Sequence, residues 1–181
     1  MNFSVRPIIE GDLEMIMNWR MSPEVTRYMN TNPKLTIEGQ RKWLHSLEEK
    51  NDVKYWIIEV AGTPAGVICL VDIDYEKKNT SWGYYIGEIG LRSMQLAISL
   101  ELSLYAYVFG ELCLDEIRCE VFSLNEGVIK LHQLCGCQIV KIVEDEVYKD
   151  GVQYNVTHLS LTRAAWKENR SKYRYEKIAF C

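Results

Sequence analysis

The stretch 91–114 constrains this chain more than any other. It is almost wholly apolar, yet Arg92 and Glu101 interrupt it and Gly110-Glu111 breaks its end. A membrane span needs about 20 apolar residues with few or no charges. The pattern instead predicts a long helix over residues 93–112, buried inside a folded domain.

The rest of the composition fits such a domain. The chain has 181 residues, of which 48% are hydrophobic and 25% charged. A chain of that length can bury roughly 70% of its unfolded surface without staples, so a single domain over residues 1–181 is expected. Disordered, collagen-like and disulfide-miniprotein classes are excluded. The net charge is −4, which argues against nucleic acid as a partner, because such binders neutralise phosphates with basic residues. Residues 1–6 lack a charged segment followed by an apolar one, so a cytoplasmic protein with no membrane partner is expected. Cys69, Cys113, Cys119, Cys135, Cys137 and Cys181 contain no Cys-x-x-Cys pair and read as reduced thiols. His132, Cys135 and Cys137 lie close together, but no second ligand cluster completes a metal site. Core thiols and no metal are expected.

Along the chain, residues 2–6 read as a strand and 10–19 as a helix with Leu13, Ile16 and Met17 on one face. Ser22-Pro23 reads as a helix start with Ser22 as its cap. A further helix, capped by Thr36, is predicted over 36–47. Strands follow at 55–60, 65–73 and 80–86, the first two joined by a hairpin at Ala61-Gly62-Thr63-Pro64. After the long helix come a strand at 116–122 and a helix at 125–134. Asn125 reads as the cap of that helix and Gly136 as its stop. Strands at 138–148 and 152–161 flank Lys149-Asp150-Gly151, and a short helix starts near Thr162. Strands grouped around helices in this order give a mixed sheet with helices on its faces, an α/β (α+β) layer architecture.

Two places can carry chemistry. The first is the junction of strand 80–86 with the long helix, Gly87-Glu88-Ile89-Gly90-Leu91 and then Arg92-Ser93-Met94-Gln95-Leu96-Ala97. A helix N-terminus presents free backbone N–H groups and a positive dipole end, and binds phosphates. Arg92 could add a charged hydrogen bond to a diphosphate; the plain alternative is a surface arginine on an ordinary turn. The second is the run from Cys119 to His132. His132 lies on or beside the apolar face of its helix, where a satisfied core side chain is the ordinary reading and proton transfer the functional one.

These features, in this order and spacing, resemble the GNAT superfamily of acyl-CoA-dependent N-acetyltransferases. Residues 82–140 carry most of the resemblance: Trp82-Gly83-Tyr84-Tyr85-Ile86-Gly87-Glu88, then Arg92 and Ala97 of an R/Q-x-x-G-x-G/A motif, then Glu120 to Asn125, Ile129, Leu131, His132 and Gly136. Gln95 and Ser93 depart from this pattern, standing where glycine is common. The resemblance implies a central, mostly antiparallel sheet of about seven strands. It implies acetyl-CoA in a V-shaped gap between splayed strands, with its pantetheine arm beside Tyr84, Tyr85, Ile86 and Gly87. The pyrophosphate would rest on the amides of Arg92, Ser93, Met94, Gln95, Leu96 and Ala97, and Asn125 would touch the cofactor arm. His132 falls where the superfamily usually has a tyrosine that protonates the leaving thiolate. A general base is harder to place; Asp72, Asp74 and Glu88 are the nearest carboxylates.

The acceptor is set by the N-terminal third in this superfamily. The run Trp19-Arg20-Met21-Ser22-Pro23-Glu24-Val25 resembles two branches. One acetylates the 4-amine of a UDP-linked 4-amino-4,6-dideoxy-N-acetyl sugar of the pseudaminic acid type, and the other acetylates ribosomal-protein N-termini. The runs at 81–85 and 119–132 favour the sugar branch, so a UDP-amino-sugar is the expected substrate. Arg20, Arg27 and Arg41 could meet its phosphates, and Tyr28, Met29 and Trp43 its base. A protein or small-amine acetyltransferase stays open, as does a non-catalytic acyl-CoA-binding domain, given Gln95. A homodimer through the segment from Tyr173 to Ile178 is compatible with the sequence and not decided by it.

Overall fold

A computed structural model describes residues 2–180; Met1 and Cys181, with its thiol, lie outside the described residues. The strands are β1 (Phe3–Pro7), β2 (Lys54–Val60), β3 (Thr63–Asp74), β4 (Asn79–Ile86), β5 (Glu116–Phe122), β6 (Gln138–Lys149) and β7 (Val152–Thr162). The helices are α1 (Leu13–Met21), α2 (Pro23–Thr26), α3 (Ile37–Glu48), α4 (Met94–Gly110), α5 (Glu126–Leu134) and α6 (Arg163–Asn169). The strands form one seven-stranded sheet in the order β1-β2-β3-β4-β5-β7-β6. Every neighbouring pair is antiparallel except β4 with β5. The mixed sheet expected from the sequence is the one observed.

The tight turns follow from local chemistry. Ala61-Gly62 and Asp150-Gly151 each take positive φ at both residues, the twist that closes a two-residue hairpin without splaying its strands. Thr36, Ser93 and Thr162 cap α3, α4 and α6 through side-chain oxygens. Ser22 differs from its expected role. Its hydroxyl makes no cap bond to α2 and instead donates to the Trp19 carbonyl at 2.8 Å, closing the end of α1. Asn125 likewise makes no side-chain cap bond to α5.

The sheet buries both faces. Trp82, Tyr84 and Ile86 of β4 join the larger core with Leu96, Leu100, Leu104 and Tyr105 of α4. Tyr85 faces the other way, packing with Ile16 and Trp19 of α1 and with Ile57 and Val67. This alternation is the period-2 geometry of a strand buried on both sides. Helix α4 carries one charged side chain, Glu101, and it is fully buried. Among the described residues no helix is long and apolar enough to cross a membrane.

The C-terminal segment turns back on its own chain. Tyr173 stacks on Trp166, Phe180 packs edge-on against Trp56 with centroids 5.1 Å apart, and Ile178 N–H bonds to Ser103 Oγ at 2.9 Å. These aromatics pack, partly buried, against the core over α4.

Two contacts give stability predictions. A Cβ on Gly87 would sit 2.2 Å from Trp19 Cγ, because the indole lies directly on the glycine. Gly87→Ala is expected to lower stability by about 2–3 kcal/mol in urea unfolding, whereas Gly90→Ala, with nothing within 4 Å, should stay within about 0.5 kcal/mol of the native chain. Asp12 accepts two hydrogen bonds from Arg6, at 2.7 and 2.8 Å, and one from Ile9 N–H. The Arg6 bonds hold its carboxyl below its ordinary 3.8 against the opposing effect of burial. A depressed folded-state pKa adds stability that is full above the unfolded value and fades as pH falls below about 4. Thermal melts should therefore show Asp12→Asn destabilised at pH 7, with the gap to the native chain closing in acid.

Candidate active site

The site begins where the sheet fails to close. β4 and β5 pair only from Asn79 with Glu116 to Ser81 with Arg118. β4 then runs on to Ile86 and β5 to Phe122 without further pairing to each other. Beyond Ser81 the facing edges keep alternate N–H and C=O groups that no strand takes up. This is a V-shaped opening lined by backbone, with β3 supporting one side and β7 the other.

The opening leads to the start of α4. Ser93 is extended, and its Oγ accepts from Leu96 N–H at 3.1 Å. Ala97 N–H bonds to the Ser93 carbonyl. The amides of Met94 and Gln95, the first two helical residues, have no partner inside the helix. Both side chains are exposed. Gln95 lies in ordinary helical backbone, outside the positive-φ positions. No left-handed conformation demands glycine there, so a glutamine leaves the helix end intact. Arg92 behaves differently from its expected role: its Nε and Nη2 both donate to the Ile86 carbonyl, at 3.1 and 2.8 Å. The guanidinium ties the end of β4 to the start of α4, leaving Nη1 as its remaining donor group.

His132 is buried, and its Nδ1 lies 2.9 Å from Glu101 Oε1. Its ring sits 5.0 Å from the Trp82 ring, and Trp82 is the first β4 residue past the last pair with β5. The imidazole is therefore at the apex of the V. Glu101 also accepts from Tyr84 Oη at 3.4 Å and from Tyr105 Oη at 3.1 Å. Burial, reinforced by the Glu101 charge, pushes both phenols well above their ordinary range, so they remain donors. Tyr105 Oη further contacts Cys137 Sγ at 3.3 Å. Burial likewise raises the Cys135 thiol. Cys119, Cys135 and Cys137 are buried core thiols, and among the described residues no cluster of three or more His, Cys, Asp or Glu could hold a metal.

The opposite face of β4 carries the N-terminal residues. Burial lowers the Arg20 guanidinium, partly offset by the phenol of Tyr85 nearby. Arg20 bonds to the Thr31 carbonyl and hydroxyl, at 3.3 and 2.9 Å, and has no carboxylate partner among the described residues. Trp19 Nε1 donates to Glu88 at 2.8 Å, which occupies one of the candidate bases. Asp72 and Asp74 are at the other end of β4, beside its pairing with β3 at Ser81 and Asn79, so neither reaches the opening. Tyr28 is exposed, with Arg27 over its ring. Lys149 is buried and donates to the carbonyls of Thr26 and Met29, while Asn32 bonds to Asp150. The tip of the β6–β7 hairpin thus pins the loop that bears Tyr28 and Met29. Trp43 is apart from these residues, edge-on to Tyr55 of β2 with centroids 5.2 Å apart.

The structure therefore brings together Tyr84, Ile86, the α4 N-terminus and His132, and separately Arg20, Tyr85 and the loop with Tyr28 and Met29. Sequence reasoning missed Glu101, treating it only as a charge interrupting an apolar run. A lone acidic residue in an otherwise apolar helix is itself a signal, because glutamate is almost never fully buried unless paired. It also missed Lys149, which looks like a turn residue until the hairpin is placed against the N-terminal loop.

Comparison with known proteins agrees with this geometry. Residues 2–138 match the family described as Acetyltransferase (GNAT) domain. The SPbeta prophage-derived uncharacterized N-acetyltransferase YokL of Bacillus subtilis is 25% identical over 163 residues, 86% of this chain and 90% of that protein. Acetyltransferase PseH of Campylobacter jejuni is 26% identical over 122 residues, 67% of this chain and 74% of that protein. The Vibrio cholerae spermidine N-acetyltransferase in complex with CoA and spermine superposes with a TM-score of 0.85 at 18% identity, covering 91% of this chain and 98% of that one. A dodecameric structure of the Vibrio cholerae enzyme gives 0.79 at 21% identity, covering 93% and 98%. With the splayed strands, the open helix end and a family match over most of its length, this chain belongs to the GNAT acetyltransferases and is an acetyl-CoA-dependent N-acetyltransferase.

Proposed function

We propose that the enzyme acetylates the 4-amine of a UDP-linked 4-amino-4,6-dideoxy-N-acetyl sugar. The observation that carries this reading is Arg20: a half-buried cation beside the cleft strand, bonded only to Thr31 and lacking any carboxylate among the described residues. An unpaired, partly desolvated guanidinium favours an anionic acceptor such as a nucleoside diphosphate sugar. It disfavours a polycation such as spermidine by like-charge repulsion. Tyr28, exposed on the pinned loop, offers a face for the base, with Met29 beside it. Trp43 is engaged with Tyr55 and is left as packing.

On the donor side, the amides of Met94 and Gln95 suit the coenzyme diphosphate. The open edge of β4 offers backbone N–H groups for its arm, and Asn125, just past the end of β5, has a side chain that is not used to cap α5. The coenzyme supplies the thioester; the chain orients the amine against it. The open-edge N–H groups polarise the carbonyl, and His132 gives a proton from its ring to the leaving sulfur.

Release of free CoA should be measured against a panel of UDP-4-amino-sugar, spermidine and an N-terminal peptide. Turnover with the sugar alone is expected; turnover with spermidine alone would overturn the acceptor assignment. Arg20→Gln should raise KM for the sugar about 10- to 100-fold, the loss of one charge-assisted hydrogen bond, with a smaller change in kcat. His132→Ala should lower kcat by about 100-fold or more while calorimetry shows acetyl-CoA binding retained; an unchanged single-turnover rate would remove the acid role.

A further inference from the structure

We infer that Glu101 is a positioning residue of the acid–base apparatus: from inside α4 it fixes the ring orientation and the Nδ1–H of His132, so that Nε2 is the nitrogen that exchanges the proton. This rests on the proposed proton-donor role of His132.

The geometry is specific. Glu101 Oε1 faces His132 Nδ1 at 2.9 Å, while Oε2 faces Tyr105 Oη at 3.1 Å. Tyr84 Oη approaches Oε1 from β4 at 3.4 Å. Each phenol has a proton to donate, and an ionised carboxylate accepts at both oxygens and donates at neither. Three donors converging on two oxygens are the partners a buried anion requires. The Nδ1 position is therefore a donor, and which ring nitrogen carries a proton is set by the bond the other makes. Nε2 has no hydrogen-bond partner among the described residues. The groups facing the imidazole and carboxylate are Tyr84 from β4, Tyr105 from α4, Cys119 from β5, and Cys135 and Cys137 at the end of α5 and the start of β6. Burial raises the phenols and the Cys135 thiol, and the neighbouring Cys137 together with burial raises Cys119. The two phenols, Cys119 and Cys135 thus add no competing negative charge near neutral pH.

The chemical step balances. The acceptor nitrogen forms a bond to the acetyl carbon, and the carbon–sulfur bond breaks with its electron pair going to sulfur. The sulfur takes the Nε2 proton of an imidazolium, leaving a neutral ring that still donates Nδ1–H to Glu101. The surplus proton of the new amide nitrogen returns to Nε2. The carboxylate neither gains nor loses a proton; it holds the ring in one tautomer and stabilises its charged form.

The test is a double-mutant cycle with a spectroscopic arm. Glu101→Gln should lower kcat about 10- to 1,000-fold with acceptor KM and acetyl-CoA affinity nearly unchanged. The limb of the kcat–pH profile that requires the imidazolium should move to lower pH. In a His132→Ala background the same substitution should cost almost nothing. Glu101→Asp, which keeps the charge, should recover part of the rate and guards against simple loss of packing. In ¹⁵N-histidine NMR of the free protein, His132 should show a protonated Nδ1 that Glu101→Gln perturbs. Equal losses in both backgrounds, or native kinetics for Glu101→Gln, would overturn the inference. So would a His132 protonated on Nε2 alone. If the NMR signature is present but His132→Ala leaves the rate unchanged, the proton-donor role of His132 fails and the positioning role falls with it, by a different readout.

Discussion

The whole molecule turns on how little joins the two halves of its sheet. Three residues of β4 meet three of β5, from Asn79 with Glu116 to Ser81 with Arg118, and then the strands part. So short a parallel junction cannot by itself set the angle between β1-β2-β3-β4 and β5-β7-β6. Helix α4 sets it, lying across both halves with Leu96, Leu100 and Leu104 fully buried. Arg92 ties its first turn to the Ile86 carbonyl, so the helix end that offers free amides is held at the mouth of the gap. The opening is therefore a consequence of packing on one side and of missing strand pairing on the other.

The polar cluster around Glu101 reinforces this arrangement. It reaches Tyr84 on one half of the sheet and His132, which follows β5, on the other. A buried carboxylate is costly unless its oxygens are satisfied, and breaking such a pair costs more than the pair contributes. That asymmetry disfavours any packing in which β4, α4 and α5 shift relative to one another, because each shift strips a donor from the charge. An apolar side chain of similar volume would fill the space without imposing the same register. The cluster thus couples the shape of the gap to the position of the imidazole at its apex.

Much of this was legible in the sequence, because local rules and global fold agree over most of the chain. The cap at Thr36 and the two glycine-bearing hairpin turns announce themselves through residue type and spacing, whereas Ser22 and Asn125 have the residue type of a cap and make no side-chain cap bond. The splayed strands that the resemblance implied are present as β4 and β5, which part after Ser81. What escaped were contacts made between segments distant in the chain. Lys149 finds the Thr26 and Met29 carbonyls across more than a hundred residues, and no local pattern encodes that meeting. Arg92 has the charge and position of a phosphate ligand, and only the path of the backbone shows that it serves the Ile86 carbonyl. The composition of the segment from Tyr173 to Ile178 does not tell what it packs on; Tyr173 stacks on Trp166 and Ile178 is buried in the core.

The acceptor side illustrates why a shared fold leaves specificity open. The proposed acceptor residues Tyr28 and Met29 lie on the loop after α2, which the tip of the β6–β7 hairpin holds, and neither element belongs to the sheet core. Lys149 is buried, and among the described residues its ammonium bonds to the Thr26 and Met29 carbonyls, so it acts as a clamp rather than as a free cation facing a ligand. Arg20 is the contrasting case: it lies near Tyr85 on the opposite face of β4, with hydroxyl and carbonyl partners and no counter-charge among the described residues. A guanidinium so placed raises the local positive potential, and partial burial strengthens that potential by lowering the local dielectric. Charge selection and loop placement are thus built from different residues. The sheet and α4 fix the shape of the opening, while the loop and hairpin are held by contacts of their own.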